Sequence, residues 1–179
     1  MPPQLIAKII LLTCLSLLFH VANAETSFSD NSTYEVCFTP GQDCTGLIVN
    51  TIAQAKETIY VQAYSFTSAP IAKALVDAKR RGVNVEVILD KSQTKTNKYS
   101  SATFLLNNHI PTWVDYKPSI AHNKIMIFDK TVVMTGSFNF TKSAQRRNAE
   151  NLIVITDPVL AKKYLKNWLA RQAQSRYLK

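Results

Sequence analysis

The side chains best able to do chemistry lie between His122 and Asn139, with Lys124 and Ser137 between them. An imidazole can attack phosphorus and later leave, an ammonium neutralises a non-bridging phosphate oxygen, and hydroxyl and amide groups donate hydrogen bonds to developing negative charge. None of these roles requires a metal ion, and the segment contains no cluster of metal-ligating residue types. The segment therefore predicts cleavage of a phosphodiester by a histidine nucleophile.

The sequence around these residues predicts a β-hairpin. Apolar runs at 125–128 and 131–134 flank Asp129 and the lysine after it, a pair that favours a two-residue turn. In this register Phe128 pairs with Thr131. Asp129 then points away from the chemical face, and we interpret it as a structural residue.

The same register predicts how the four chemical side chains meet. Counted back along the hairpin, His122 pairs with Ser137. Because alternate residues of a strand share a face, Lys124 joins His122 and Asn139 joins Ser137. We expect Lys124, Ser137 and Asn139 to bind the phosphate that His122 attacks.

Glu150 is the candidate acidic partner of the histidine. It precedes an apolar run at 152–155, so a carboxylate at the start of this strand could reach the imidazole of His122 and set its tautomer. The alternative is a solvated strand end with no catalytic role.

The spacing of these residues follows the pattern His-x-Lys-x4-Asp-x6-Gly-Ser-x-Asn. A chance match at all six positions has odds of roughly one in 10⁷ to 10⁸. The pattern resembles the signature of the phospholipase D superfamily, and the resemblance runs from about Cys44 to the C-terminus, including 64–67 and 148–151. The matching positions are His122, Lys124, Asp129, Gly136, Ser137 and Asn139.

With one copy of the motif in a short chain, the protein is most similar to the small bacterial endonucleases of that superfamily, the Nuc-like members. The resemblance implies a phosphohistidine intermediate without a cofactor, and an acidic residue after the motif, here Glu150, that orients the histidine. Superfamily members with two motifs protonate the leaving oxygen from the second motif. This chain has one motif, so we expect a homodimer in which two His122 side chains share one phosphate. His109 is the alternative proton donor, although a surface position suits it better.

Along the chain, predicted helices and strands alternate without a linker or a repeat. This order predicts an α/β fold, a mixed β-sheet flanked by helices on both faces, with the motif at one end of the sheet. The predicted helices cover 46–56, 68–81, 100–108 and 158 onwards, and the predicted strands cover 58–64, 83–89, 111–114, 125–128, 131–134 and 152–155.

The first 24 residues have the pattern of a secretory signal peptide. One lysine precedes an apolar run from Ile9 to Val21, and Ala22-Asn23-Ala24 forms a small-x-small cleavage site. Cys14 lies in the middle of the apolar run, which argues against lipidation. We expect residues 25–179 to form a single phospholipase D-like nuclease domain, exported to the periplasm or secreted, with no membrane anchor once the signal is removed.

Cys37 and Cys44 are the two cysteines of the predicted mature chain. They flank Pro40-Gly41, and in an exported protein such a pair favours a disulfide that closes a small loop. Two free thiols are the alternative.

The charge of the chain favours polyanionic partners. Removing the predicted signal takes away one lysine and no acid, which lowers the formal net charge from +9 to +8. Basic residues at 79–81, 91–98, 146–147 and in the last helix suit a nucleic acid backbone, although an anionic membrane would also attract them.

The sequence thus predicts an exported, metal-independent endonuclease that hydrolyses DNA with low sequence specificity, with RNA as a possible second substrate. The main alternative is a phospholipase D or cardiolipin-type enzyme that uses the same chemistry on lipid. A catalytically silent nucleic-acid-binding protein is a third hypothesis, and the complete motif argues against it, because a binding protein needs no nucleophile.

Overall fold

The computed structural model describes residues 26–94 and 101–178 of the chain. The predicted signal peptide, Cys14 and residues 95–98 of the basic segment lie outside these ranges. The strands are β1 (Thr33–Thr39), β2 (Thr58–Ala63), β3 (Asn84–Asp90), β4 (Thr112–Asp115), β5 (Lys124–Phe128), β6 (Val132–Gly136), β7 (Glu150–Thr156) and β8 (Arg176–Tyr177). The helices are α1 (Cys44–Gln54), α2 (Ala69–Arg80), α3 (Ser101–Asn107), α4 (Lys142–Arg146) and α5 (Pro158–Gln174), with a 3₁₀ turn at Lys91–Thr94.

The strands form one mixed sheet in the order β1-β7-β6-β5-β2-β3-β4-β8. The β2–β3 and β3–β4 pairs are parallel, and α2 and α3 provide the crossovers that parallel pairs require. The other neighbouring pairs are antiparallel. One edge of the sheet therefore collects the ends of β2 and β3 and the motif strands.

Helices cover both faces of the sheet. Ile52 of α1, Leu75 of α2 and Leu105 of α3 are fully buried in the core on one face. On the other face α5 buries Trp168, whose Nε1–H donates to the carbonyl of Val61 at 2.9 Å. This arrangement confirms the predicted mixed α/β architecture.

Local signals set several helix boundaries near the predicted positions. α2 has Pro70 in its first turn and ends before Gly82, which adopts a φ of +93°. α5 begins at Pro158, and the Asp157 carboxylate accepts the N–H of Leu160 at 2.6 Å. By contrast, β1, α4 and β8 are absent from the predicted element order.

The predicted register of the motif hairpin is wrong by one residue. Asp129 and Lys130 form the turn with positive φ angles, and the N–H of Thr131 donates to the carbonyl of Phe128 at 3.0 Å. However, Phe128 pairs with Val132, so Thr131 is an extra residue in the turn before the second strand. The carbonyl of Thr131 accepts the N–H of Asp157 at 2.9 Å instead of bonding across the hairpin.

This shift changes where the motif residues lie relative to the strands. β5 begins at Lys124, so His122 lies in the loop before the strand and is not paired with Ser137. Ser137 in turn follows the end of β6. The chemical side chains therefore converge from the loops at the sheet edge.

The two cysteines of the described chain are bonded: a Cys37–Cys44 disulfide joins β1 to the first residue of α1. None of the helices in residues 26–94 and 101–178 has the length and apolar character needed to cross a membrane.

Candidate active site

The site lies where four strand ends meet. Tyr64 follows β2, Lys124 opens β5, Gly136 ends β6 and Glu150 opens β7. Because β2–β5, β5–β6 and β6–β7 are antiparallel neighbours, these ends lie on the same edge of the sheet. The sheet itself positions the motif.

The loop that carries His122 is held by two neighbouring strands. The Asp90 carboxylate at the end of β3 accepts the N–H of Ala121 at 2.7 Å, and the N–H of Tyr64 donates to the carbonyl of Asn123 at 2.8 Å. These bonds restrain the residues on both sides of His122, whose side chain remains exposed.

Asp90 is a buried carboxylate with a structural task. Burial alone would raise its pKa, but the hydrogen bonds from Ser92 and from the N–H of Ala121 outweigh it, so the pKa lies below its usual value. Asp90 therefore remains a charged acceptor that fixes the entry to the His122 loop.

Lys124 is buried against the imidazole of His122. Its Nζ lies 3.0 and 3.1 Å from the two ring nitrogens and donates to the His122 carbonyl at 2.8 Å. Burial lowers the pKa of Lys124, and the nearby charge of Glu150 opposes this shift. An ammonium can donate a hydrogen bond only to a ring nitrogen that carries a lone pair. The neutral imidazole has such a nitrogen, and it is the form that attacks phosphorus.

Tyr64 completes this cluster. Its ring centroid lies 4.5 Å from that of His122, and the Lys124 Nζ lies 5.2 Å from the Tyr64 centroid. The aromatic ring packs against the imidazole and attracts the ammonium through its π face. Tyr64 thus limits the positions that the histidine ring can adopt.

Gly136 allows the motif to approach β7. Its φ is +151°, and a Cβ at this position would lie 2.3 Å from the carbonyl oxygen of Asn151. The same oxygen accepts the N–H groups of Ser137 and Phe138 at 3.1 and 3.2 Å. Only glycine fits this contact, which sets the position of Ser137.

Ser137 and Glu150 bind each other. The Ser137 hydroxyl donates to Glu150 at 2.6 Å and accepts the N–H of Asn151 at 3.0 Å. The second carboxylate oxygen of Glu150 accepts from Asn148 Nδ2 at 2.8 Å. In the described part of the chain, Glu150 forms no ion pair with His122 or Lys124, and its charge acts on Lys124 by opposing the lowering of that pKa.

Asn139 has unused hydrogen-bonding capacity. Phe138 and Phe140 on either side of it point into the core, so Asn139 faces the opposite way. Its Oδ1 is buried and has no hydrogen-bond partner among the residues described. Because buried amides are normally satisfied, this oxygen is free to accept a hydrogen bond from a ligand or a water molecule, whereas only the amide N–H of Asn139 can donate to a phosphate.

Asp129 lies at the far end of β5, away from this cluster. Its carboxylate accepts the N–H groups of residues 56–58 at 2.8 to 2.9 Å. Burial would raise the pKa of Asp129, but these backbone bonds lower it. Asp129 thus ties the hairpin turn to the start of β2. His109 lies after α3, in a separate groove beside Tyr177 and Leu178.

Tyr64, Asp90 and Asn148 are site residues that the motif by itself does not reveal. The segments 64–67 and 148–151 belong to the family resemblance, so the sequence contains a signal for Tyr64 and for Asn148. Asp90 directly follows a predicted buried strand, but only the β3–β2–β5 order brings it near His122. Within the described ranges, no three His, Cys, Asp or Glu side chains gather closely enough to hold a metal ion.

A histidine, an ammonium, a hydroxyl and an amide at one edge of a mixed α/β sheet define a phosphodiesterase-type site. Residues 48–171 match the family described as cardiolipin synthase, PLD-like domain. The chain belongs to this family and is an enzyme of the phospholipase D superfamily.

Two relatives and one solved structure illustrate the range of this family. Phospholipase D of Rickettsia conorii is 48% identical over 156 residues, covering 87% of this chain and 76% of the relative. Mitochondrial cardiolipin hydrolase of Xenopus laevis is 32% identical over 119 residues, covering 64% of this chain and 54% of the hydrolase. The crystal structure of Nuc, a phospholipase D family member from Salmonella typhimurium, has a TM-score of 0.78 and 38% identity, covering 83% of this chain and 99% of Nuc.

Proposed function

We propose that this phosphodiesterase is a metal-independent endonuclease that cleaves DNA, and RNA as a second substrate, with low sequence specificity. The observation that carries this proposal is the open, polar character of the site. His122 and Ser137 are exposed, and Arg147 nearby in sequence is exposed without a carboxylate partner in the described residues. Such a site suits a polyanionic backbone that passes over the surface.

The likeness to Nuc supports the same proposal. Nuc matches this chain over nearly its entire length, and the single motif resembles that of the small bacterial endonucleases. With no base-reading motif in the sequence, phosphate contacts would dominate binding.

In the first step, a ring nitrogen of His122 attacks phosphorus, and a nitrogen–phosphorus bond forms as the bond to the leaving oxygen breaks. A general acid protonates that oxygen. Lys124 neutralises a non-bridging oxygen, and the Asn139 amide N–H donates a hydrogen bond to the phosphoryl group. Ser137 would donate a second one after exchanging its hydrogen bond to Glu150 for one to the phosphate.

In the second step, water attacks the phosphohistidine, the group that acted as acid takes the proton from the water, and the nitrogen–phosphorus bond breaks. This restores the neutral imidazole of His122. Glu150 would orient His122 through Lys124, because its carboxylate holds Ser137 and Asn148 and its charge acts on Lys124.

The acid would come from a second copy of the chain. The chain has one motif, and a two-fold dimer would bring His122 of the partner subunit to the same phosphate. An exposed apolar strip on the α5 face of β1 and β7 supports such a contact, with Tyr34 75% and Phe38 55% exposed beside Ile153 and Ile155. The strip reaches the site, because Phe38 pairs with Asn151.

Export remains part of the proposal. The predicted signal at residues 1–24 and the Cys37–Cys44 disulfide both suit an oxidising compartment, such as the periplasm or the extracellular space.

A lipid phosphodiesterase is the second candidate function. It is favoured by the names of two relatives, phospholipase D and mitochondrial cardiolipin hydrolase, and by Ile120, which is 54% exposed two residues before His122. An apolar residue at this position could contact a membrane surface.

The test is to incubate the purified protein with plasmid DNA and with anionic phospholipid vesicles, each in excess chelator. We expect DNA cleavage that is undiminished by chelator and lost in His122→Asn, while His109→Ala, a matched loss of one histidine, retains activity. Hydrolysis of the vesicle lipid with intact plasmid would favour the lipid candidate. Activity that disappears in chelator and returns with magnesium would exclude the histidine mechanism.

A further inference from the structure

A polar groove of about 350 Å³ opens next to the candidate active site. It lies between the N-terminal ends of α1 and α2 and the short helix α4. Thr67, Ser68 and Ala69 form one wall, and Lys142 and Arg146 form the other. The phosphohistidine mechanism uses none of these residues.

The groove is close to the motif along two chain segments. The N–H groups of Thr67 and Ser68 both donate to the carbonyl of Phe140 at 2.9 Å, and Phe140 follows Asn139. Thr67 is also three residues after Tyr64, a separation that spans at most about 11 Å. Tyr64 in turn packs against His122, so the groove wall lies a few nucleotides from the phosphate at His122, at about 3.4 Å per nucleotide along a duplex axis.

One wall of the groove offers unused hydrogen-bond donors. Ser68 is only 4% exposed, and its side chain makes no hydrogen bond to a described residue and does not cap α2. In the described chain no acceptor meets the N–H of Ala69 or Ile71, and the first turn of α2 contains no acidic residue. Free N–H groups and the dipole at this end of a 12-residue helix favour an anion.

The opposite wall supplies positive charge. Lys142 and Arg146 are exposed, and neither forms an ion pair with a described residue. Asp43 also lines the groove, but its carboxylate accepts the N–H of Gly46 at 2.9 Å and caps α1. The groove therefore presents two cations without an ion pair to a described residue, one capping carboxylate and the hydroxyl of the largely buried Ser68 to a bound group.

We propose that this groove binds a second phosphate of the same nucleic acid strand whose scissile phosphate lies at His122. The inference rests on the proposed endonuclease function and adds a subsite to it. Lys142 and Arg146 would neutralise the phosphate, while the Ser68 hydroxyl and the N–H groups of α2 donate hydrogen bonds to its oxygens.

The experiment compares a substrate with one phosphate to a substrate with many. Bis(4-nitrophenyl) phosphate can occupy only the His122 site, whereas a single-stranded oligonucleotide can fill the groove as well. For Lys142→Ala/Arg146→Ala we expect kcat/KM on the oligonucleotide to fall about tenfold or more, with hydrolysis of the small diester unchanged. Lys79→Ala/Arg80→Ala removes the same charges at the far end of α2 and should stay within about twofold of wild type.

Ser68→Asp separates binding from folding. An aspartate before the first turn would cap α2 and favour its dipole, which offsets the cost of placing a carboxylate at this largely buried position, so the unfolding temperature should change little. The same carboxylate would repel a phosphate, so we expect weaker oligonucleotide cleavage with normal hydrolysis of the small diester. A merely structural role for Ser68 would not give this combination.

Binding can be measured without cleavage in the His122→Asn background. Adding the Lys142→Ala/Arg146→Ala changes should lower the slope of log K against log salt by about 0.7 for single strands, because one phosphate contact is lost. An unchanged slope together with unchanged oligonucleotide cleavage would overturn the subsite while leaving the endonuclease intact. Equal losses of kcat/KM on the oligonucleotide and on the small diester would also overturn the subsite. A loss of activity seen only with cardiolipin vesicles would do the same. Hydrolysis of the small diester without oligonucleotide cleavage by wild type would instead reject the endonuclease function itself.

Discussion

Replacing Gly136 with alanine tests the close approach of the motif to β7. The added Cβ would lie 2.3 Å from the Asn151 carbonyl oxygen, whereas ordinary contacts begin at 3.4 Å, so the two strands must separate by about 1 Å. The obstacle is backbone in the interior of the sheet, where β7 is hydrogen-bonded to both β1 and β6, and it cannot rotate away as a flexible side chain could.

Two costs add at this position. A φ of +151° is strained for alanine by about 1–3 kcal/mol. Separating the strands also weakens the bonds from the N–H groups of Ser137 and Phe138 to Asn151, each worth about 0.5–1.5 kcal/mol. We therefore expect Gly136→Ala to lower the free energy of unfolding by about 2–6 kcal/mol.

Gly82→Ala is the matched control. Gly82 has a φ of +93°, but nothing lies within 4 Å of the position that a Cβ would take, so alanine there incurs only the backbone strain. Urea unfolding of both variants separates the contact with Asn151 from the strain. A loss for Gly136→Ala no larger than that for Gly82→Ala would refute the steric argument.

Activity gives a second readout of the same change. A shift of about 1 Å at Ser137 would move its hydroxyl away from the position set by Glu150 and Asn151, and misplacement on this scale can lower the rate by about 10²-fold. We expect hydrolysis of bis(4-nitrophenyl) phosphate to fall by about this factor in the folded Gly136→Ala protein. Gly82→Ala should hydrolyse it at nearly the wild-type rate.

Four further outcomes follow from the site and the fold. Rapid denaturation during turnover should leave an acid-labile, base-stable phosphoryl adduct on His122, and mapping by mass to Ser137 would reassign the nucleophile. Lys124→Ala should keep the fold but lower the rate by about 10² or more, and near-normal turnover would remove Lys124 from the site. When three His122→Asn chains are mixed with each wild-type chain and the subunits exchange, the mixture should retain about 6% of the activity of the same amount of wild-type protein. Retention of about 25% would mean that each chain carries a complete site, and His109 would become the leading general acid. Because Asp90 and Asp129 have lowered pKa values when folded, the native state binds fewer protons, so stability should fall as the pH drops below about 4. The urea concentration at the unfolding midpoint, measured at several pH values, reports this loss of stability. If Asp129→Asn loses stability as steeply with falling pH as the wild type, Asp129 does not contribute to the loss.

The sequence by itself predicts most of the helices and strands because their signals are local. A proline in the first turn, a glycine after the last turn and a capping aspartate act within a few residues, and they place both ends of α2 and the start of α5 within about two residues. The residues that can do chemistry are also close together in sequence, since they lie in one short motif from His122 to Asn139. The class of chemistry therefore follows from the sequence.

The hairpin register does not follow from the sequence, because a distant residue decides it. Asp129 and the lysine after it form the predicted turn, but the Thr131 carbonyl bonds to Asp157 and shifts the pairing by one residue. The task of Asp129 also depends on the tertiary structure, because the N–H groups that it binds, those of residues 56–58, lie more than 70 residues away.

The surroundings of the nucleophile are decided by the order of the strands. Tyr64 and Asp90 reach the His122 loop because β2 lies between β5 and β3, and β7 beside β6 brings Glu150 to Ser137. These pairings join segments far apart in the chain, and their stability comes from the shared core and from hydrogen bonds across the whole sheet. The sequence by itself thus determines which groups can attack and bind a phosphate, and the tertiary structure decides how they are held, because each is fixed by partners that only the assembled sheet brings near.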